Sequence, residues 1–282
     1  MGDSLVWING HVTDIEAATV SLEDRGFVFG DGVYEVVRTY GGKPFAMDAH
    51  MARFERSAAG IELSLPMGAS EIAAVALDLL ARVGIPEAEL YFQLTRGAAR
   101  RYHPFPEGVP ATLVVWARPL RQTDPALRDQ GVTAITHPDE RWARCDLKTI
   151  CLLPNVLAKE HARRAGAFEA ILVRDGLVTE GAGSNVAIVK DGTLITPVAD
   201  RRILPGITRA VVIDLARELG IPVAERDVPV AELFEADEVF TLATTAEIMP
   251  IVGIDNTPIG LGAPGPVMTR LYKALRRLAT GT

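Results

Sequence analysis

The chain has 282 residues, 48% of them hydrophobic, which is enough for two domains of ordinary size with a core in each. A formal net charge of −7 with no basic cluster argues against a nucleic-acid surface. The two cysteines, Cys145 and Cys151, form no CxxC pair and no HExxH segment occurs, so neither a disulfide framework nor a metal site is expected.

In chain order, short strands between Leu5 and Met47 are divided by Asn9-Gly10 and Gly41-Gly42, the latter a hairpin turn because glycine accepts positive φ. Asp48 is placed to cap a helix whose apolar residues Met51, Phe54, Ala58 and Ile61 recur at helical spacing. A second helix from about Ser70 to Val83 stops at Gly84 and Pro86. Strand-like runs follow at residues 90–95 and 112–117. The stretch from Pro119 is polar, contains Pro125 and has no strong period. This predicts a small N-terminal α+β domain over residues 1–119, an interdomain linker over 120–129 and a larger C-terminal domain over 130–282.

The second block opens with a strand at residues 132–137, passes through Lys148 and enters a helix near Asn155 that ends around Gly166. Strands are expected at residues 170–174, 177–180 and 186–189, with Asp175-Gly176 and Asp191-Gly192 as tight turns. An apolar strand at residues 239–243 leads into Thr244-Thr245. Helices are predicted from Thr208 to Leu219, stopping at Gly220 before Pro222, and from about Val267 to Leu278. Strands and helices mix without regular βαβ alternation, so the fold class is α+β in both halves. MGDSLVWING carries an acid at Asp3 and lacks the basic-then-apolar order of an export signal. No apolar run approaches the ~20 residues of a membrane span, and a cytoplasmic protein with reduced thiols is expected.

Five lysines occur, and four sit in polar settings: Lys43 and Lys190 beside turns, Lys159 and Lys273 on polar helix faces. Lys148 instead precedes Ile150, Cys151, Leu152 and Leu153, and a strand closing on Glu180 comes later. A pyridoxal phosphate enzyme needs an amine whose charged form is disfavoured, and an acid beside the ring nitrogen. Lys148 and Glu180 supply both, although on local sequence alone Lys148 also reads as a lysine snorkelling at the edge of a core. A phosphate needs backbone N–H groups converging at a helix start. The segment Leu204-Pro205-Gly206-Ile207-Thr208-Arg209 offers a glycine, a hydroxyl and an arginine there, Thr244-Thr245 being a second candidate. Gly181-Ala182-Gly183 lacks the spacing and the following helix of a dinucleotide fingerprint.

Seven segments in order carry a resemblance over nearly the whole chain: DRGFVFGDGVYEVVRTY (residues 24–40), HMARFERSA (50–58), TRGAARRYHPFP (95–106), RCDLKTICLLPNVLAKEHA (144–162), VTEGAGSNV (178–186), LPGITR (204–209) and TTAEIMPI (244–251). The chain closely resembles the fold-type IV (class IV) pyridoxal-phosphate aminotransferases, and within them the D-amino acid aminotransferases. The resemblance implies a two-domain fold in which Lys148 is the Schiff-base lysine and general base, and Glu180 is the partner of the pyridine nitrogen. It further implies that Arg53, Ile207, Thr208 and Thr244 hold the phosphate, and that Tyr34, Arg101 and His103 bind the substrate α-carboxylate. The implied activity is ping-pong transamination of D-amino acids, of the D-alanine type, with 2-oxo acids such as 2-oxoglutarate. A homodimer is implied too, with the coenzyme between the two domains and the partner subunit completing the substrate pocket.

Tyr102 and the Ala182-Gly183 pair depart from the commonest pattern, where a smaller residue and serines are expected, leaving pocket size and one phosphate contact open. Two alternatives share the fold: a branched-chain L-amino acid aminotransferase and an aminodeoxychorismate lyase-like enzyme. The Arg101 and His103 pair argues against the first, and the closeness of residues 33–40 and 144–162 against the second. A non-catalytic binder would have no need of both the lysine and the acid.

Overall fold

The computed structural model describes residues 4–281. The chain forms two compact units: one up to Arg121 together with Leu147–Cys151, the other made of Gln122–Asp146 and the chain from Leu152 onward.

The first unit contains β1 (Leu5–Ile8), β2 (His11–Asp14), α1 (Arg25–Phe29), β3 (Gly32–Tyr40), β4 (Lys43–Pro44), α2 (Met47–Gly60), α3 (Ala69–Val83), β5 (Ala88–Thr95) and β6 (Thr112–Pro119). Its sheet has the order β2-β1-β6-β5-β3-β4, antiparallel throughout. Alternation along each strand sends Val33, Val37, Leu90, Phe92, Leu94, Leu113 and Val115 into one core with Phe54 of α2 and Ile72, Ala76 and Leu79 of α3. Each large side chain removed from water there contributes about 1.5–3 kcal/mol. The same alternation turns Tyr34 and Val36 to the opposite face of β3, where both are half-buried.

Helix α2 starts one residue before Asp48, after Ala46 at φ 54°, and no side chain caps it. Asp48 therefore lies in the first turn, where it favours the helix dipole, and is not the cap. The short α1 escaped the sequence reading. Asp24 Oδ1 caps it by accepting the Gly26 N–H at 2.8 Å, and Gly30 ends it at φ 69°.

The second unit contains α4 (Pro125–Gln130), β7 (Val132–Pro138), α5 (Leu153–Arg164), β8 (Glu169–Arg174), β9 (Leu177–Gly181), β10 (Asn185–Lys190), β11 (Thr193–Thr196), α6 (Ile207–Glu218), β12 (Val223–Glu225), β13 (Val228–Pro229), α7 (Val230–Phe234), β14 (Glu238–Ala243), β15 (Glu247–Ile254), β16 (Thr257–Pro258) and α8 (Pro266–Thr280). Its sheet runs β12-β11-β10-β14-β15-β7-β8-β9-β13, with β16 on β15. Most pairs are antiparallel. Strand β7 is parallel to both β8 and β15, and β11 to β12.

Two expectations about organisation change. The stretch read as an irregular linker carries α4, started by Asp124 accepting the Ala126 N–H and by Pro125 in the first turn. Lys148, assigned by sequence to the C-terminal domain, packs with the first unit. Its carbonyl accepts the Tyr34 N–H at 2.9 Å, Ile150 N–H donates to Gly32 O at 3.1 Å, and Val33 and Thr149 form a bridge. Leu147–Cys151 thus behaves as a short added strand at the start of β3, a non-local pairing that no periodicity reveals.

Candidate active site

The Lys148 backbone is fixed from two sides, since its own N–H donates to Ser57 Oγ of α2 at 3.0 Å while its carbonyl is held by β3. The side chain is half-buried. Lys148 Nζ sits 4.3 Å from the centroid of the Tyr34 ring and makes no hydrogen bond or ion pair among the described residues. By contrast, Lys159 pairs with Glu169 at 3.0 Å and Lys190 with Glu235 at 2.7 Å. Tyr34 is braced by a column of rings, stacking on Tyr91 at 5.8 Å, which stacks on Trp116 at 3.8 Å. Tyr91 donates its hydroxyl to Gln93 Oε1 at 2.7 Å, and burial pushes its phenol well above the ordinary value.

Behind Tyr34, on the helix face of β3, lies a buried charge cluster. Arg53 Nε and Nη2 donate to Glu35 Oε2 and Oε1 at 2.9 and 2.7 Å, and His50 Nδ1 lies 2.9 Å from Oε1. Burial pushes the Glu35 carboxyl up, but the Arg53 charge and the His50 and Arg53 hydrogen bonds outweigh it and hold Glu35 well below the usual carboxylate range. Burial lowers His50, with the Glu35 contact opposing and the charges of Arg53 and Lys148 assisting. Arg53, expected on the phosphate, has at least these two bonds to Glu35. The acid in the VYEVV run was the signal for this cluster, because a carboxylate in a strand buried on that face requires partners.

Tyr34 lies on β3, whereas Arg101 and His103 occupy an irregular segment after β5 and are both exposed. Spacing alone put the latter two on one side of an extended chain. The structure joins them through a third residue: Arg101 Cζ stands 5.2 Å over the Phe29 ring, and the His103 ring lies 5.3 Å from it. A depression of about 580 Å³ opens here, lined by Arg25, Arg100, Arg101 and Tyr102 among others.

In the second unit, Glu180 is buried at the end of β9. Its carboxylate accepts from Arg141 Nη1, from the Leu204 N–H at 3.1 Å and from Asn185 Nδ2 at 2.8 Å. Burial pushes its carboxyl up to about 7, against the lowering effect of Arg141 and the Leu204 N–H. Arg141 is held in turn by Asp139 at 2.8 Å, and Asp139 is drawn down by that guanidinium against the effect of its own burial. Asn185 also donates to Leu204 O at 2.9 Å, tying Glu180 to the Leu204-Pro205-Gly206 turn. Sequence reasoning missed Arg141 and Asn185; the latter, within GSNV, was visible as an amide in an apolar strand.

That turn leads into α6, whose N-cap is Gly206 with no side-chain cap. The first N–H groups of the helix are therefore left by side chains for an anion, with the buried Thr208 beside them and Ile207 half-buried. Arg209 does not join them. It is buried and donates to Pro197 O at 2.7 Å and Glu225 Oε2 at 2.9 Å, so its role is to anchor α6. Thr244 is half-buried in the turn between β14 and β15. No group of metal-ligating side chains occurs among the described residues, and no described helix is long and apolar enough to cross a membrane.

Residues 32–254 match the family described as amino-transferase class IV. The D-alanine aminotransferase of Listeria monocytogenes is 45% identical over 271 residues, covering 95% of this chain and 93% of that protein. That of Bacillus licheniformis is 42% identical over 271 residues, covering 96% and 95%. Among solved structures, the branched-chain amino acid aminotransferase from Escherichia coli superposes with a TM-score of 0.93 at 31% identity, covering 99% of this chain and 95% of that one. The branched-chain aminotransferase of the thermophilic archaeon Thermoproteus uzoniensis, with norvaline, gives 0.89 at 31% identity, covering 98% and 95%.

Proposed function

Since the chain belongs to the class IV aminotransferases, we propose that it is a D-amino acid aminotransferase of the D-alanine type, passing the amino group to a 2-oxo acid such as 2-oxoglutarate. The family uses pyridoxal 5'-phosphate, and the residues present fit that group. Lys148 has an amine facing a ring with no competing carboxylate, Glu180 is a buried acid held in place by three donors, and α6 begins without a side-chain cap. Lys148 would carry the aldehyde and Glu180 the ring nitrogen, while Ile207, Thr208 and Thr244, with Arg53 as a fourth candidate, would hold the phosphate. When bound, the coenzyme supplies an electron sink that lets a Cα–H bond break heterolytically.

The chain's own residues do the rest. Lys148 Nζ would act as the general base that accepts the substrate Cα proton and returns it. Tyr34, next to that amine, limits where the proton is delivered. Glu180, whose carboxyl burial pushes up to about 7, would hold a proton at the ring nitrogen when the coenzyme is bound. Arg101, His103 and the Tyr34 hydroxyl would take the substrate α-carboxylate, the guanidinium by two parallel hydrogen bonds. The chain would work as a cytoplasmic homodimer whose subunits share the substrate pocket.

The observation that carries the chemistry is the Lys148 amine held against Tyr34 without an ion pair. The choice of D-alanine rests on relatives of that name at 42–45% identity, against 31% for the branched-chain enzymes. Presenting the coenzyme-loaded protein separately with D-alanine, L-leucine and (R)-phenylethylamine, each with 2-oxoglutarate, tests it. The fastest loss of coenzyme absorbance is expected with D-alanine. A response to L-leucine alone would replace the reading by the branched-chain one, which shares the fold.

A further inference from the structure

The DRGFVFG segment that precedes β3 does more than supply the Phe29 ring and line the depression with Arg25, because its side chains converge on the loop bearing Arg101 and His103. Arg25 is 4% exposed. Its Nη1 donates to Tyr102 O at 2.6 Å and to Pro104 O at 3.4 Å, and its Nη2 to His103 O at 3.1 Å. Three successive carbonyls of a segment without regular structure are thus gathered onto one guanidinium. Asp31 fixes that guanidinium through Nε at 2.8 Å and is itself held by Arg96 at 2.9 Å.

One helical turn later, on the same side of α1, the Phe29 ring meets Arg25, Arg101 and His103, at 4.8, 5.2 and 5.3 Å respectively. The base of the helix cannot shift. A Cβ on Gly26 would stand 2.3 Å from Thr95 Cγ2, and Arg25 N–H donates to Gly97 O at 2.9 Å.

We propose that α1 is a clamp in which Arg25 and Phe29 act as positioning residues, presenting Arg101 and His103 to the substrate carboxylate. This rests on the carboxylate role proposed above for those two residues. A buried arginine that served stability alone would need only the backbone carbonyls. Placing its i+4 neighbour against both expected ligands gives the pair a direct hold on their side chains. Because the guanidinium of Arg101 and the imidazole of His103 are otherwise exposed, the ring restricts their rotamers and lowers the entropy lost when a carboxylate binds.

The test uses the coenzyme-loaded enzyme in the first half-reaction with D-alanine, comparing Arg25→Lys, Phe29→Leu, Phe29→Tyr and Arg101→Ala with the parent. Arg25→Lys and Phe29→Leu are expected to raise the half-saturating D-alanine concentration roughly tenfold while the limiting rate stays within about threefold, and Phe29→Tyr to restore the parent value. Trypsin should cut after Arg100 and Arg101 several-fold faster in Arg25→Lys. If Arg25→Lys does not fold, Phe29→Leu decides. An unchanged half-saturation in Phe29→Leu, or a fall in limiting rate without that change, overturns the clamp. If Arg101→Ala also leaves half-saturation unchanged, the carboxylate role itself fails. If Arg101→Ala raises it but the clamp variants do not, only the clamp fails.

Discussion

Glu180 is the residue whose chemistry is most exposed to pH. Its folded pKa of about 7 lies above the ordinary carboxylate value, so between the two the folded coenzyme-free protein binds the extra proton. Stability is then greatest below the ordinary value and falls as pH rises toward 7, by a few kcal/mol at most. Glu180→Gln should flatten this decline in thermal melts of the coenzyme-free protein between about pH 5 and 7, and an unaltered slope would assign it to another group. Glu35 is the opposite case. Held below its ordinary range by Arg53 and His50, it stabilises above that range and loses the contribution on acidification. Glu35→Gln removes one charge of a buried pair and should cost about 3–5 kcal/mol in urea unfolding; a loss below about 1 kcal/mol would mean that the cluster relaxes around the amide. Lys148 and Glu180 stood out in the sequence because their residue types were out of place in apolar runs. The Glu35 cluster was not, since nothing local says which carboxylate a buried Arg53 will meet.

Among the elements, those with a clear period or a glycine stop were legible: α2, α3, α6 and α8, and the strands of the first sheet. Short ones were not. Helix α1 has five residues and α4 six, fewer than two full turns, so neither can show a repeat, and both are set by an aspartate cap. Helix α6 carries a sharper consequence. A Cβ on Gly206 would lie 1.9 Å from Asn185 Oδ1, the amide that links Glu180 to the turn before the helix. Gly206→Ala should therefore weaken pyridoxal phosphate binding at least tenfold, or about 1.4 kcal/mol, when the coenzyme-free protein is titrated spectroscopically. Unchanged affinity would show that the helix start and the Glu180 clamp are independent.

For the molecule as a whole, the first unit leaves Leu22 and Phe27 79% and 72% exposed, and Tyr102 and Phe105 are outward too. Large apolar side chains left outward are the usual material of an interface. In the proposed homodimer Phe27→Glu should shift sedimentation at micromolar concentration from dimer to monomer, whereas a parent protein that already sediments as a monomer would end the shared-pocket reading. Domain organisation was legible only as two halves; the return of Leu147–Cys151 to the first unit depends on four hydrogen bonds made far along the chain. On the ribosome, a nascent chain that has emerged only as far as Arg121 holds all six strands of its first sheet but not the five-residue splice at the head of β3. Translation order thus delivers Lys148 after the scaffold that receives it, so under the proposed role a newly made chain is barred from coenzyme chemistry until that late stitch is sewn.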